Sequence, residues 1–88
     1  RSKKDLKNIE MNNYVLKDTE KSKIKVEDEP VIISESEEII KVLSVSEAMM
    51  LMNLNDQNSY FFKNVKTKRL NILFRRPDGN IGWLDPKK

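Results

Sequence analysis

Bulky apolar and polar residues alternate through the last third of the chain, and this pattern predicts three strands joined by two turns. The segments are "SYFFK" at 59–63, "RLNILFRR" at 69–76 and "NIGWL" at 80–84. A period of two is typical of strands, whose successive side chains point to opposite faces. Arg-Pro-Asp-Gly at 76–79 is a strong turn signal, because proline presets φ and glycine accepts positive φ.

The stretch before these strands has the helical period. Ser44 and Glu47 form a Ser-x-x-Glu capping box, in which each side chain accepts a hydrogen bond from the other residue's backbone amide. The apolar residues behind this cap occupy both sides of the predicted helix: Val45, Ala48, Met49, Met50, Leu51, Met52 and Leu54. A helix that is apolar nearly all round is either deeply buried or in contact with a second surface.

Upstream, "VII" at 31–33 and "EEIIKVL" at 37–43 have the β-branched composition of strands. Residues 1–29 carry charges of both signs and too few apolar residues to offset the entropy of ordering them. We therefore expect residues 1–29 to be a flexible linker or tail. We expect residues 30–88 to form one small α+β domain of β-α-β-β-β order, with the helix packed on a mostly antiparallel sheet.

The predicted sheet carries bulky apolar groups on both faces. Leu73 points to the face opposite Ile72 and Phe74. Phe61 points away from its strand neighbours, and it shares the face of Ile72 and Phe74 if the hairpin register follows the alternation. One short helix covers only one face, and a core this small barely offsets chain entropy. We therefore expect the uncovered face to be a self-association surface. The alternative is that residues 31–33 or the N-terminal arm fold back over it.

The composition argues against catalysis. The chain has no cysteine, no histidine and two glycines, and its formal net charge is +3. It therefore lacks the commonest general base and transition-metal ligand, any thiol nucleophile, and the glycines for a phosphate loop. The carboxylates at 35, 37, 38 and 47 have no partner for acid–base chemistry, and their spacing does not fit a calcium loop. We expect no enzymatic activity, no cofactor, no metal and no small-molecule ligand. The apolar runs are too short to cross a bilayer, so we expect no membrane partner.

A cluster of basic residues occupies the same segment as the strands, with no acid among them: Lys63, Lys66, Lys68, Arg69, Arg75 and Arg76. Beside the aromatic residues at 60–62, such a stripe could bind RNA through phosphate contacts and base stacking. The alternative, favoured by acids elsewhere that nearly cancel the charge, is ordinary solvated surface. A third possibility is a protein adaptor that adds a strand to an exposed sheet edge. Trp83, a lone tryptophan in a strand, is interpreted as a core residue.

The segment from 42 to 86 resembles the C-terminal domain of long-form ribosome hibernation-promoting factors, also called ribosome-associated inhibitors or sigma-54 modulation proteins. The resemblance rests on "SVSEAMMLMNL" at 44–54 and on "RRPDGNIG" at 75–82 after an apolar strand. It departs at Ser59, where the family has an aromatic residue. The resemblance runs through this segment without a gap.

The resemblance implies a homodimerisation module that links two ribosomes into an inactive dimer and so lowers translation under stress. The pairing residues that we expect are Ser59, Phe61, Leu70, Ile72, Phe74 and Ile81. In this family the small ribosomal subunit is bound by an N-terminal domain that these 88 residues do not include. Residues 1–29 then correspond to the tail of that domain and the linker. The family implies the cytoplasm of a bacterium, or a plastid, as the location.

Overall fold

The computed structural model describes residues 6–18 and 29–87, which form one helix and six strands. In chain order the elements are β1 (Ile9–Leu16), β2 (Ile32–Ile40), β3 (Val42–Leu43), α1 (Val45–Leu54), β4 (Ser59–Asn64), β5 (Leu70–Arg75) and β6 (Ile81–Leu84). β1 and β2 form a two-stranded antiparallel ribbon, and the other four strands form a sheet of order β3-β4-β5-β6. The predicted α+β class is confirmed. In the part of the chain described, no helix is long and apolar enough to cross a membrane.

Strand β1 lies in the segment that the sequence predicted to be a linker. It pairs antiparallel with β2, with Ile9 opposite Ile40 and Tyr14 opposite Glu35. Every β1 residue after Ile9 is exposed, so backbone pairing rather than side-chain burial makes this a strand. The small number of apolar residues was therefore the wrong criterion for this segment. The expectation of no regular structure is wrong for these eight residues. Residues 1–5 and 19–28 of the predicted linker lie outside the described residues.

The second sheet is built around β4 and β5, which run antiparallel. β3 pairs parallel with β4, and β6 pairs antiparallel with β5 across the predicted turn. In that turn the amide of Gly79 donates to the carbonyl of Arg76 at 3.0 Å, and Gly79 has a φ of 90°. The amide of Asn80 and the Arg76 guanidinium both donate to the Asp78 carboxylate, and together they lower the pKa of Asp78. These contacts fix the register between β5 and β6.

Helix α1 begins with the capping box that the sequence predicted. The amide of Glu47 donates to the Ser44 hydroxyl at 3.1 Å, and the amide of Ser44 donates to Glu47 Oε1 at 2.9 Å. The box satisfies two amides, one of them among the helix's first unpaired N–H groups. Serine at this position therefore sets where the helix starts.

Replacing Ser44 by alanine is expected to lower the free energy of unfolding by about 1 kcal/mol, because the amide of Glu47 loses its acceptor. Urea unfolding followed by circular dichroism would measure this change. Ser46→Ala, two residues later and exposed, is the matched control and should alter stability by a few tenths of a kcal/mol. Equal losses in the two variants would show that the cap is not what stabilises the helix start.

The core lies between α1 and one face of the four-stranded sheet. Its buried members are Ala48 and Met52 from the helix and Phe62 and Leu73 from the sheet. The partly buried residues around them are Leu43, Val45, Tyr60 and Ile81. On the outer side of α1, Met50 and Leu54 remain exposed, so the apolar helix is not deeply buried.

The prediction that Trp83 is a core residue is wrong. Trp83 is 50% exposed, although it lies on the helix-facing side of the sheet beside Leu73. The reason is its position on β6, the edge strand, beyond the part of the sheet that α1 covers.

Candidate self-association face

Four predicted interface residues lie side by side on the sheet face opposite α1. Ser59 on β4 is directly opposite Phe74 on β5, and Phe61 is directly opposite Ile72. Their strand neighbours Phe62 and Leu73 are buried under the helix, so the alternation expected from the sequence is confirmed. We call the set of Ser59, Phe61, Leu70, Ile72, Phe74, Gly82 and Leu84 the open face.

The open face is apolar and accessible at its centre. Phe61 is 43% exposed, while Ile72, Phe74 and Leu70 are half-buried by their neighbours. Leu70 lies opposite Lys63 at one end of the β4–β5 ladder, which places it at the margin. Charged side chains are depleted at the centres of protein interfaces, and the central pairs of this face carry none.

Two residues of the open face were missed by the sequence reasoning. Gly82 is opposite Phe74, and Leu84 is opposite Ile72. A Cβ atom at Gly82 would overlap the Phe74 ring, so the ring lies directly over the glycine. An aromatic ring that covers a glycine on the neighbouring strand is a known way to stabilise a sheet edge. Alternation within β6 puts Gly82 and Leu84 on one side, but only the register with β5 shows which side that is.

Ile81, expected among the interface residues, does not lie on the open face. Ile81 is opposite Arg75 and packs against the buried core cluster, so it lies on the helix-facing side. The cause is the register of the β5–β6 hairpin, which sets Gly82 rather than Ile81 beside Phe74. A register one residue different reverses the face of every side chain in a strand.

The ribbon of β1 and β2 borders the open face without covering it. The amide of Lys63 donates to the carbonyl of Lys41 at 2.8 Å, and the Lys63 ammonium donates to the carbonyl of Lys7 at 3.0 Å. Ile40, at the base of the ribbon, is buried and lines a hollow of about 270 Å³ together with Phe61. Residues 31–33 are themselves exposed. Among the described residues of the arm, Met11, Asn12 and Asn13 line the same hollow, so the arm reaches the edge of the open face and leaves Phe61 43% exposed.

The six basic residues do not form one stripe. Arg75 donates to the Gln57 carbonyl at 3.0 Å, just after α1, and to Asn53 Oδ1 at 2.8 Å in the last turn of α1. Arg76 pairs with Asp78 at 3.1 Å, and Lys63 is held by the Lys7 carbonyl. The other three, Lys66, Lys68 and Arg69, lie in the β4–β5 connection. Arg75 and Arg76 thus lie at one end of β5 and the three bases of the connection at the other, and RNA contact by any of the six stays a prediction.

Among residues 6–18 and 29–87, no group of three or more acidic, histidine or cysteine side chains is placed to hold a metal ion. Asp78, whose pKa is lowered, lies on a surface turn. The surface that the fold singles out is therefore the apolar open face.

This chain is similar to curated proteins of three bacteria. A ribosome hibernation promotion factor of Bradyrhizobium diazoefficiens is 47% identical over 57 residues, which are 65% of this chain and 28% of that protein. The factor of the same name from Rhizobium meliloti is 38% identical over 56 residues, covering 64% of this chain and 30% of the relative. The one from Bacillus subtilis is 34% identical over 47 residues, or 53% of this chain and 25% of the relative.

The matched segments thus span less than a third of each of these curated relatives. The sequence profile described as "Sigma 54 modulation/S30EA ribosomal protein C terminus" matches residues 27–83, which include β2 to β5 and most of β6. This match covers more than half of the chain, and the chain belongs to that family.

Proposed function

We propose that this chain is the homodimerisation module of a ribosome hibernation factor, and that two copies pair through their open faces. The observation that carries the proposal is the apolar row of Phe61, Ile72 and Phe74, set in register on the sheet face that α1 does not cover. The relatives' names supply the biological setting. In that setting the pair holds two ribosomes together in an inactive state and so lowers translation.

A two-fold axis suits this face. In a symmetric pair the same patch is used by both copies, so each side chain meets its own copy or a near neighbour. Two sheets stack about 10 Å apart when their inner side chains interdigitate. The row of Phe61, Ile72 and Phe74 offers such side chains, and the small Ser59 lies opposite Phe74. A paired open face would complete a core that one helix leaves half covered.

We propose that ribosome attachment resides in an N-terminal domain, within the part of the relatives that this chain does not match. The domain boundary predicted at residue 30 falls between β1 and β2, which pair with each other. We therefore assign β1 to the dimerisation module. The linker proposed for residues 1–29 then no longer includes β1.

Concentration-dependent NMR spectra test this proposal and locate the interface. Aromatic and methyl signals of Phe61, Ile72 and Phe74 should shift as the protein is concentrated, because these groups become enclosed. Signals of the buried Ala48 and Met52 should stay in place. Shifts confined to the exposed side of α1 would move the interface to the helix and overturn the proposed face.

The strand-addition reading remains a second candidate because β6 is an edge of the four-stranded sheet. Its free backbone groups could pair with an extended peptide. In the same titration, shifts of the β6 backbone amides without shifts of the Phe61 and Ile72 side chains would favour strand addition over face-to-face pairing.

A further inference from the structure

A buried polar network fixes the orientation of Trp83. The indole N–H donates to Asn71 Oδ1 at 2.9 Å, and Asn64 Nδ2 donates to the same oxygen at 2.8 Å. The Asn71 amide nitrogen donates to Asp85 Oδ1 and to the Leu70 carbonyl, both at 2.9 Å. Asn71 is fully buried, and both hydrogens and both lone pairs of its amide are used. The indole is therefore held in one orientation while half of the residue stays exposed.

A hollow of about 270 Å³ lies beside the Trp83 ring. Its walls come from the start of α1, the end of β4, the β4–β5 connection and the segment after β6: Ser44, Val45, Ser46, Asn64, Lys66, Thr67, Trp83 and Asp85. This volume is just below the range of about 300–1,000 Å³ that suits drug-sized ligands. It is suited to a single planar ring system lying against the indole.

Basic side chains lie next to this hollow. Lys66 lines it directly, and Arg69 lines an adjoining hollow of about 280 Å³ that shares Thr67 and Asp85 with the first. Lys68, between them in sequence, is also exposed. Two acids lie nearby and keep their negative charge: Asp85 accepts from Asn71, and Glu47 accepts from the Ser44 amide. The region thus combines a fixed aromatic surface with an excess of positive charge.

We propose that this hollow binds one nucleotide of a single-stranded RNA, with the base stacked on Trp83 and the flanking phosphates at Lys66 and Arg69. Proteins that bind single strands combine aromatic rings with cationic side chains. The bases stack on the rings, and the negatively charged phosphates contact the cations. The inference does not rest on the proposed dimer. Trp83 lies on the helix-facing side of the sheet, so pairing through the open face leaves the hollow free in both copies.

The test uses Trp83 as its own reporter, since it is the chain's single tryptophan. Titration with a short oligouridylate RNA in low salt is expected to quench its fluorescence and to saturate. Each phosphate contact contributes about 0.7 to the slope of log affinity against log salt for single strands. The double variant Lys66→Ala with Arg69→Ala should therefore lower that slope by about 1.4. Arg76→Ala, which removes a base paired with Asp78, is the matched control and should leave the slope unchanged.

Stacking is tested separately with labelled RNA and fluorescence anisotropy. Trp83→Ala is expected to weaken binding at least about fivefold, the lower limit for the loss of one stacked base, while Trp83→Phe retains most of the affinity. Thermal unfolding of both Trp83 variants and of the Lys66 and Arg69 double variant checks that they fold. Absence of quenching by RNA, equal quenching by polyglutamate, or equal affinity of Trp83→Ala and wild type would overturn the proposal. None of these outcomes bears on dimerisation.

Discussion

Phe61→Ala is expected to weaken self-association roughly a thousandfold. Phe61 is 43% exposed at the centre of the open face. Pairing would therefore remove about 90 Å² of the Phe61 surface from water in each copy. That area corresponds to about 2 kcal/mol per copy, and the substitution acts twice in a symmetric dimer. A loss of about 4 kcal/mol would carry a micromolar dimer into the millimolar range. Sedimentation velocity over a concentration series measures the shift.

The matched control for this experiment is Met50→Ala. Met50 is an exposed apolar residue on the outer side of α1, so it tests whether any loss of surface hydrophobicity weakens association. Its dissociation constant should equal that of the wild type. If Met50→Ala dissociates and Phe61→Ala does not, the helix rather than the open face is the interface.

Leu73→Ala is expected to destabilise the monomer by about 2–5 kcal/mol, the range for a large-to-small change in a packed core. Leu73 is 1% exposed and packs with Met52 and Phe62 beneath the helix, so its loss leaves a cavity. For a domain of this size each kcal/mol lowers Tm by about 4–8 °C. The melting temperature should therefore fall by at least about 8 °C in a thermal scan.

Leu54→Ala provides the comparison for this core substitution. Leu54 is the same residue type but is 73% exposed at the end of α1, and its replacement should change Tm by no more than a few degrees. Equal effects at the two positions would mean that Leu73 is not enclosed by the helix. The scans are best run in dilute protein, where association contributes little to stability.

The sequence was informative wherever a local rule decided the structure. The Ser44–Glu47 cap follows from a four-residue pattern, and the two faces of β4 and β5 follow from strict alternation in Phe61, Phe62 and their neighbours. These features depend on residues adjacent in the chain, so neither needed tertiary information. The β5–β6 turn was equally clear, since Pro77 and Gly79 leave few alternatives.

The errors arose where a distant contact decided. Ile81 was assigned to the wrong face because its side depends on the register across a hairpin. β1 was missed because its stability comes from pairing with β2. The pattern of its own residues does not indicate which strand it pairs with. The basic stripe was read as continuous because sequence cannot show that Arg75 turns back to the end of α1.

The site beside Trp83 was hidden for a related reason. A lone tryptophan in a strand is usually core, and only its place on the edge strand leaves it half exposed. Asn64 and Asn71 are polar residues in strands, which gave no sign that they would be buried together. Their hydrogen bonds become visible only when β4, β5 and β6 are aligned.

Self-association through the open face is tested most directly by sedimentation equilibrium of the unmodified chain. At low concentration the weight-average mass should equal the 10.4 kDa of one copy, and it should rise smoothly to twice that value as the concentration increases through the micromolar range. A mass that remains at 10.4 kDa at every concentration would contradict the account.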